Sequence, residues 1–239
     1  MIKVTPYNST EAKKKQVTKM FDNIAGSYDF LNHTLSLGMD NIWRKIAIKK
    51  LTNNPATILD IATGTADFAI SAAKYTKANI TGIDISQGML DVGVKKIANK
   101  GVEDRIKLQL ADSENLPFED NSYDAITAGF GVRNFEDLNK GLSEMYRTLK
   151  TGGIVTIIEP SEPTNFPLNQ LYKLYFHYVL PFIGGIISKD KNAYTYLPES
   201  VSTFPSGNNF LSELIKVGFK DTKHIPLTFG IVSLYIAIK

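Results

Sequence analysis

The chain has 239 residues, 43% hydrophobic and 21% charged, which suits one large globular domain and excludes disorder, collagen and coiled coil. Cysteine is absent, so there is no disulfide framework, thiolate metal site or cysteine nucleophile, a usage compatible with the cytoplasm. Twenty-seven Lys and Arg against 24 Asp and Glu leave +3, too small a balance to argue for nucleic acid.

The N-terminal stretch is polar and lacks the apolar run of a secretory signal. Val17, Met20, Phe21, Ile24, Ala25 and Tyr28 then fall on one helical face, flanked by Lys13, Lys14, Lys15 and Lys19. A second short helix is expected over 42–51, ended at Asn53–Pro55. Strands are expected over 57–61, 79–84, 105–110 and 123–128, with helices over 66–75 and 86–99 between them. Asn134, followed by Glu136 and Asp137, reads as the cap and acidic first turn of a helix striped by Leu138, Leu142, Met145, Tyr146 and Leu149. Gly152-Gly153 stops that helix, and a fifth strand covers 154–159.

Alternating strands and helices imply right-handed crossovers and a parallel sheet. After a helix over 208–217, the segments 219–225 and 228–238 both read as strands, with only Pro226-Leu227 between them. Two residues cannot make a parallel crossover, so this pair is antiparallel. The expected fold is therefore α/β, a mostly parallel seven-stranded sheet with a C-terminal antiparallel hairpin. That topology suits class I S-adenosylmethionine-dependent methyltransferases. It divides a single domain (1–239) into an N-terminal helical cap (1–54), a cofactor-binding half (55–160), a substrate-side insertion (161–205) and a terminal helix and hairpin (206–239).

Ligands of such sheets bind beyond the C-terminal strand ends, beside the first strand. There the sequence is Asp60-Ile-Ala-Thr-Gly-Thr-Ala-Asp67. The dinucleotide fingerprint is not met, because Ala62 and Ala66 flank a lone Gly64. A tight turn at Gly64-Thr65 asks less of the backbone and suits the carboxylate and ammonium of a methionine moiety. Asp84 ends the second strand, where a carboxylate can accept from both ribose hydroxyls. Asp112 follows the third strand, placed to accept from an adenine amine. The expected cofactor set is Asp60, Gly64, Thr65, Asp84, Met89 and Asp112. The bland alternative for each acid is a turn or helix cap; three such features at successive strand ends outweigh it.

Two further segments stand out, Tyr28-Asp-Phe-Leu-Asn32 with Leu35-Ser-Leu-Gly38 and Trp43, and Arg147-Thr-Leu-Lys-Thr-Gly-Gly153 through Glu159-Pro-Ser161. They resemble the first and second signatures of the ubiquinone/menaquinone biosynthesis C-methyltransferases. Phe130-Gly-Val-Arg-Asn134 and Tyr194-Thr-Tyr-Leu-Pro-Glu-Ser200 also resemble family segments. Asp40 departs from the usual histidine, and Ala66 from the usual glycine. The resemblance implies cofactor contacts at Thr65, Asp84, Asp112 and Ser113. It also implies methyl transfer from S-adenosylmethionine, leaving S-adenosylhomocysteine, to a carbon of a polyprenylated quinol. The first expectation is 2-demethylmenaquinol; the alternatives are the methoxy-benzoquinol of ubiquinone synthesis or another small aromatic.

A quinol hydroxyl must ionise to make its ortho carbon nucleophilic. Arg133 and Asn134, after the fourth strand, are expected to be the catalytic pair, Arg133 stabilising the quinolate or orienting a water and Asn134 bonding the second oxygen. The competing expectations are a surface ion pair of Arg133 with Glu136 or Asp137, and a helix cap at Asn134. No metal is expected: the three histidines are scattered, and the displacement needs none. The aromatic segment 168–187, with His177, is expected to wall a channel for the isoprenoid tail, or else to pack on the sheet or at a homodimer interface. A greasy substrate implies a cytoplasmic enzyme with transient, peripheral contact at the inner face of the membrane, helped by the N-terminal lysines.

Overall fold

The computed structural model describes residues 4–7, 9–176 and 191–239. Seven strands form one sheet in the order β3-β2-β1-β4-β5-β7-β6. The first three, β1 (Thr57–Ile61), β2 (Asn79–Asp84) and β3 (Ile106–Leu110), run parallel with β4 (Tyr123–Gly129) and β5 (Leu149–Pro160). The hairpin strands β6 (Lys220–Leu227) and β7 (Val232–Ile238) pair antiparallel, β7 against β5. The chain steps outward from β1 to β2 and returns on the other side as β4, so the switch point lies between β1 and β4.

Helices α2 (Met39–Ile48), α3 (Asp67–Tyr75) and α4 (Gln87–Lys100) contribute to the core on one face. Helices α5 (Leu138–Thr148) and α8 (Asn208–Val217) pack on the other. The strand interiors are apolar runs because both faces are covered; Ile58, Leu59, Ile61, Ala125 and Ile126 have no exposure. A third cluster joins the apolar stripe of α1 (Lys13–Leu35) to α6 (Leu168–Leu174) and α7 (Lys191–Thr203).

Several local expectations need correction. Asn134 is not the cap of α5: it lies in a 3-10 turn, Val132–Asn134, and is buried. Asp137 caps the helix, its carboxylate accepting from the Lys140 amide at 3.0 Å. Gly152-Gly153 does not stop α5, which ends at Thr148; the pair lies inside β5, with Gly152 at φ 78°. Helix α2 begins three residues before the expected start, released by Gly38 at φ 74°. The hairpin turn is wider than Pro226-Leu227, with a 3-10 turn at Thr228–Gly230. His177 and the rest of 177–187 lie outside the described residues.

Candidate active site

The β1–α3 loop is wound tightly at the switch point. Ala62, Gly64 and Ala66 all take positive φ, at 51°, 55° and 67°. For the two alanines this is backbone strain, a cost that persists where surrounding structure imposes it. Asp60 imposes part of it: fully buried, it accepts from Thr63 Oγ1 at 2.5 Å and Thr127 Oγ1 at 2.6 Å. Burial pushes its carboxyl up to about 6. Gly131 lies so close that a Cβ there would sit 2.4 Å from that of Ala62.

Asp84 closes the loop from β2. Its Oδ2 accepts from the Gly64 amide at 2.8 Å and its Oδ1 from the Ser86 amide at 2.9 Å. Burial pushes this carboxyl up to about 6 as well. Gly64, Asp84, Met89, Asp112, Ser113 and Asn134 share one small pocket of about 60 Å³ with Ile85. Asp60 and Thr65 do not line it. Asp60 is buried beneath the loop, and the Thr65 hydroxyl donates to Asp29 of α1 at 2.5 Å. Both therefore shape the loop from behind.

Arg133 borders a second, larger cavity of about 440 Å³. Phe21, Tyr28 and Phe130 line both spaces. The expected surface pair of Arg133 with Glu136 or Asp137 is replaced by a buried one. Glu159 Oε2 accepts from Arg133 Nη1 at 2.9 Å, and Ser200 accepts from its Nε at 3.3 Å. Phe130 also offers its carbonyl to Nη1. Asn134 Oδ1 accepts from Tyr196 Oη at 3.0 Å, while its buried Nδ2 has no partner among the described residues. Tyr172 Oη, on the large cavity, is likewise buried and without a partner among them. Orphaned buried donors of this kind are costly and point to a ligand.

Sequence reasoning missed the polar latches of α1. Asp22 accepts from Ser86 Oγ at 2.6 Å and the Gly88 amide at 3.0 Å. Lys14 pairs with Asp112 at 2.6 Å and Glu114 at 3.0 Å. Lys96 bridges Asp29 and Asp67, and Arg44 bridges Asp40 and Asp67. Hydrophilic positions on an amphipathic helix were a sign of water or a partner, and only the fold distinguishes the two.

The small pocket suits a sulfonium nucleoside by its chemistry. It offers two carboxylates at successive strand ends, apolar walls at Ile85 and Met89, a backbone turn at Gly64 and the free Asn134 donor. Gly64 would add a Cβ to open space, so the loop leaves room for a ligand. Lys14 would have to leave Asp112 to admit an adenine amine there.

Comparison with known proteins agrees. The model of the ubiE/COQ5 methyltransferase family matches residues 9–239. A demethylmenaquinone methyltransferase of Bacteroides fragilis is 48% identical over 239 residues, 99% of this chain and 98% of that protein. The ubiquinone/menaquinone biosynthesis C-methyltransferase UbiE of Geotalea daltonii is 47% identical over 230 residues, covering 95% and 97%. In fold, the chain is similar to a putative S-adenosyl-L-methionine-dependent methyltransferase of Methanococcus maripaludis, with TM-score 0.64, 24% identity and coverage of 98% and 96%. A Haemonchus contortus phosphoethanolamine N-methyltransferase 2, solved with S-adenosylhomocysteine, gives 0.67 at 16% identity, covering 95% of this chain and 59% of that one. The strand order is thus the class I S-adenosylmethionine-dependent methyltransferase fold, and with a family match that runs nearly end to end the chain belongs to the ubiE/COQ5 methyltransferase family.

Proposed function

We propose that this enzyme methylates the ring carbon of 2-demethylmenaquinol to give menaquinol, with S-adenosylmethionine as donor. The observation that carries the reading is the meeting of a small pocket lined by Asp84 and Asp112 with a large, mostly apolar cavity across the shared walls Phe21, Tyr28 and Phe130. The names of the Bacteroides fragilis and Porphyromonas gingivalis relatives supply the substrate. The Geotalea daltonii name favours a second reading, in which a ubiquinone-pathway methoxy-benzoquinol is also accepted.

S-adenosylmethionine, when bound, supplies an electrophilic methyl on a sulfonium. Gly64, Asp84, Met89, Asp112 and Ser113 bind it, and Asp60 and Thr65 hold the loop. Arg133, on the large cavity, stabilises the quinolate, and Asn134, on the small pocket, offers its Nδ2 as a donor to a ligand. A phenol loses its proton only near about pH 10 in water, so a fixed guanidinium charge is of direct use. Holding ring and methyl donor in line is worth roughly 7–11 kcal/mol at best. An oxidised quinone has no hydroxyl to ionise, so only the reduced form reacts.

The apolar cavity takes the ring and the first isoprenoid units. Leu37 and Leu171 line it yet are 89% and 58% exposed, which supports a mouth that meets the membrane surface. No helix among the described residues is long and apolar enough to cross a membrane. The test is incubation of the enzyme with reduced demethylmenaquinone and isotopically labelled donor, followed by mass spectrometry of the quinone.

A further inference from the structure

The large cavity has one acidic side chain among its described lining residues, Asp40 at the start of α2. Its carboxylate is almost wholly buried, with 3% exposure. Oδ1 accepts from Ser36 Oγ, also on the cavity, at 2.9 Å. Oδ2 accepts from Arg44 Nη1 at 2.6 Å and lies 2.7 Å from His33 Nδ1. The histidine belongs to α1 and is 37% exposed, so it reaches solvent on the far side of the carboxylate. The ring nitrogen is close to Asp40 but makes no hydrogen bond to a described residue in this orientation.

We propose that Asp40 accepts the proton of the quinol hydroxyl and that His33 passes it to solvent. The inference rests on the quinol reading above and extends it to the base, which Arg133 cannot be, since arginine keeps its proton. In the step, the ring O–H bond breaks and its electron pair stays on the ring oxygen. A new O–H bond forms on Asp40. That proton then moves to His33 Nδ1, and Nε2 gives one up to water. The first transfer leaves the net charge of the cavity unchanged, because the quinolate replaces the carboxylate; once the proton has reached water, Asp40 is a carboxylate again and the cavity holds one more negative charge, which the guanidinium groups face. Two of these line the cavity, Arg44 and Arg133, and both serve the new anion.

The surroundings are compatible with a relay. From α3, Asp67 faces His33 Nε2 at 3.6 Å and Arg44 Nη2 at 3.4 Å. From α4, Lys96 holds Asp67 and Asp29. His33, Asp40 and Asp67 come near enough to suggest a cation site. Arg44 and Lys96 already supply the positive charge there, so the cluster is better suited to moving protons than to holding a metal.

The test is the pH dependence of kcat for Asp40→Asn with a short-tailed reduced demethylmenaquinone. Binding of S-adenosylhomocysteine, measured by calorimetry, checks that the variant is folded. At pH 7 the variant should turn over about 100-fold more slowly than wild type. The deficit should shrink about tenfold per pH unit and vanish near about pH 9, as the quinol ionises unaided. His33→Ala should be slowed and then restored by added imidazole, which fits the exposed vacancy. Wild-type turnover in Asp40→Asn, or the same fractional loss at every pH, would overturn the proposal, as would a slowed His33→Ala that imidazole leaves unchanged. If wild type itself methylates no quinol, the functional reading fails first; if wild type is active and the two profiles run parallel, only the relay fails.

Discussion

Glu159 holds Arg133 by both its guanidinium and its backbone. One carboxylate oxygen accepts from Nη1 at 2.9 Å, and the other accepts the amides of Val132 at 2.7 Å and Arg133 at 3.3 Å. The acid is fully buried, and burial raises its pKa even though Arg133 pulls it down. The end of β5 therefore fixes the turn that follows β4, and with it the cation at the cavity.

Arg133→Ala should cut turnover at least 100-fold while leaving cofactor affinity within a few-fold, because Arg133 lines the quinol cavity and not the cofactor pocket. It should also lower stability by about 3–5 kcal/mol, since Glu159 loses its buried partner. Steady-state kinetics, calorimetry and thermal melts check the three effects. Near-wild-type turnover would remove Arg133 from the chemistry.

Cofactor affinity should depend on pH through Asp84. With its pKa near 6, the carboxylate is mostly protonated at pH 5 and ionised at pH 7. Affinity for S-adenosylhomocysteine should therefore rise about tenfold between pH 5 and 7 and then level off. Stability runs the other way. Asp60 and Asp84 hold a proton more tightly folded than unfolded, so their contribution is present below about pH 4 and lost as pH rises through about 6. The loss is on the order of 3 kcal/mol for each group. Denaturant titrations of Asp60→Asn across that window should show a flatter profile than wild type.

Two glycines separate ligand space from packing. Gly64→Ala puts a methyl into open space at φ 55°, so it should weaken cofactor binding with a cost to the fold of roughly 1–2 kcal/mol. Gly131→Ala drives its methyl into Ala62 and should destabilise by about 1–3 kcal/mol through overpacking. Melting temperatures and binding isotherms on the same samples distinguish the two.

Membrane contact is tested best at the mouth of the cavity. Phe176 belongs to the buried cluster, stacked on Tyr172 with ring centroids 4.2 Å apart, so its removal would damage the core. Leu37→Ser with Leu171→Ser should instead reduce retention on anionic liposomes several-fold and leave the fold intact. Equal retention of the double variant and wild type would count against the proposed mouth.

Much of this architecture is legible in the chain itself. Strands 57–61 and 79–84 and helix 208–217 coincide with the structure because apolar runs and turn residues bound them sharply. The antiparallel hairpin followed from a connection too short for anything else. The errors are local and share a cause. Asn134 and Asp137 are both good caps, and the choice between them was made by Tyr196, which lies 62 residues away and engages Asn134. Gly152-Gly153 reads as a helix stop, yet β5 extends through it because Tyr123 of β4 pairs with Leu149. The roles of Glu159, Asp29 and Lys96 needed the fold, since long-range ion pairs leave no periodic trace.

The most direct measurement is the position of the transferred methyl. Reduced demethylmenaquinone and S-adenosylmethionine labelled in its methyl group should give one product carrying the label on the ring carbon beside the hydroxyl. Label on oxygen or nitrogen, or an unlabelled quinone after incubation with active, cofactor-binding protein, would contradict the assignment.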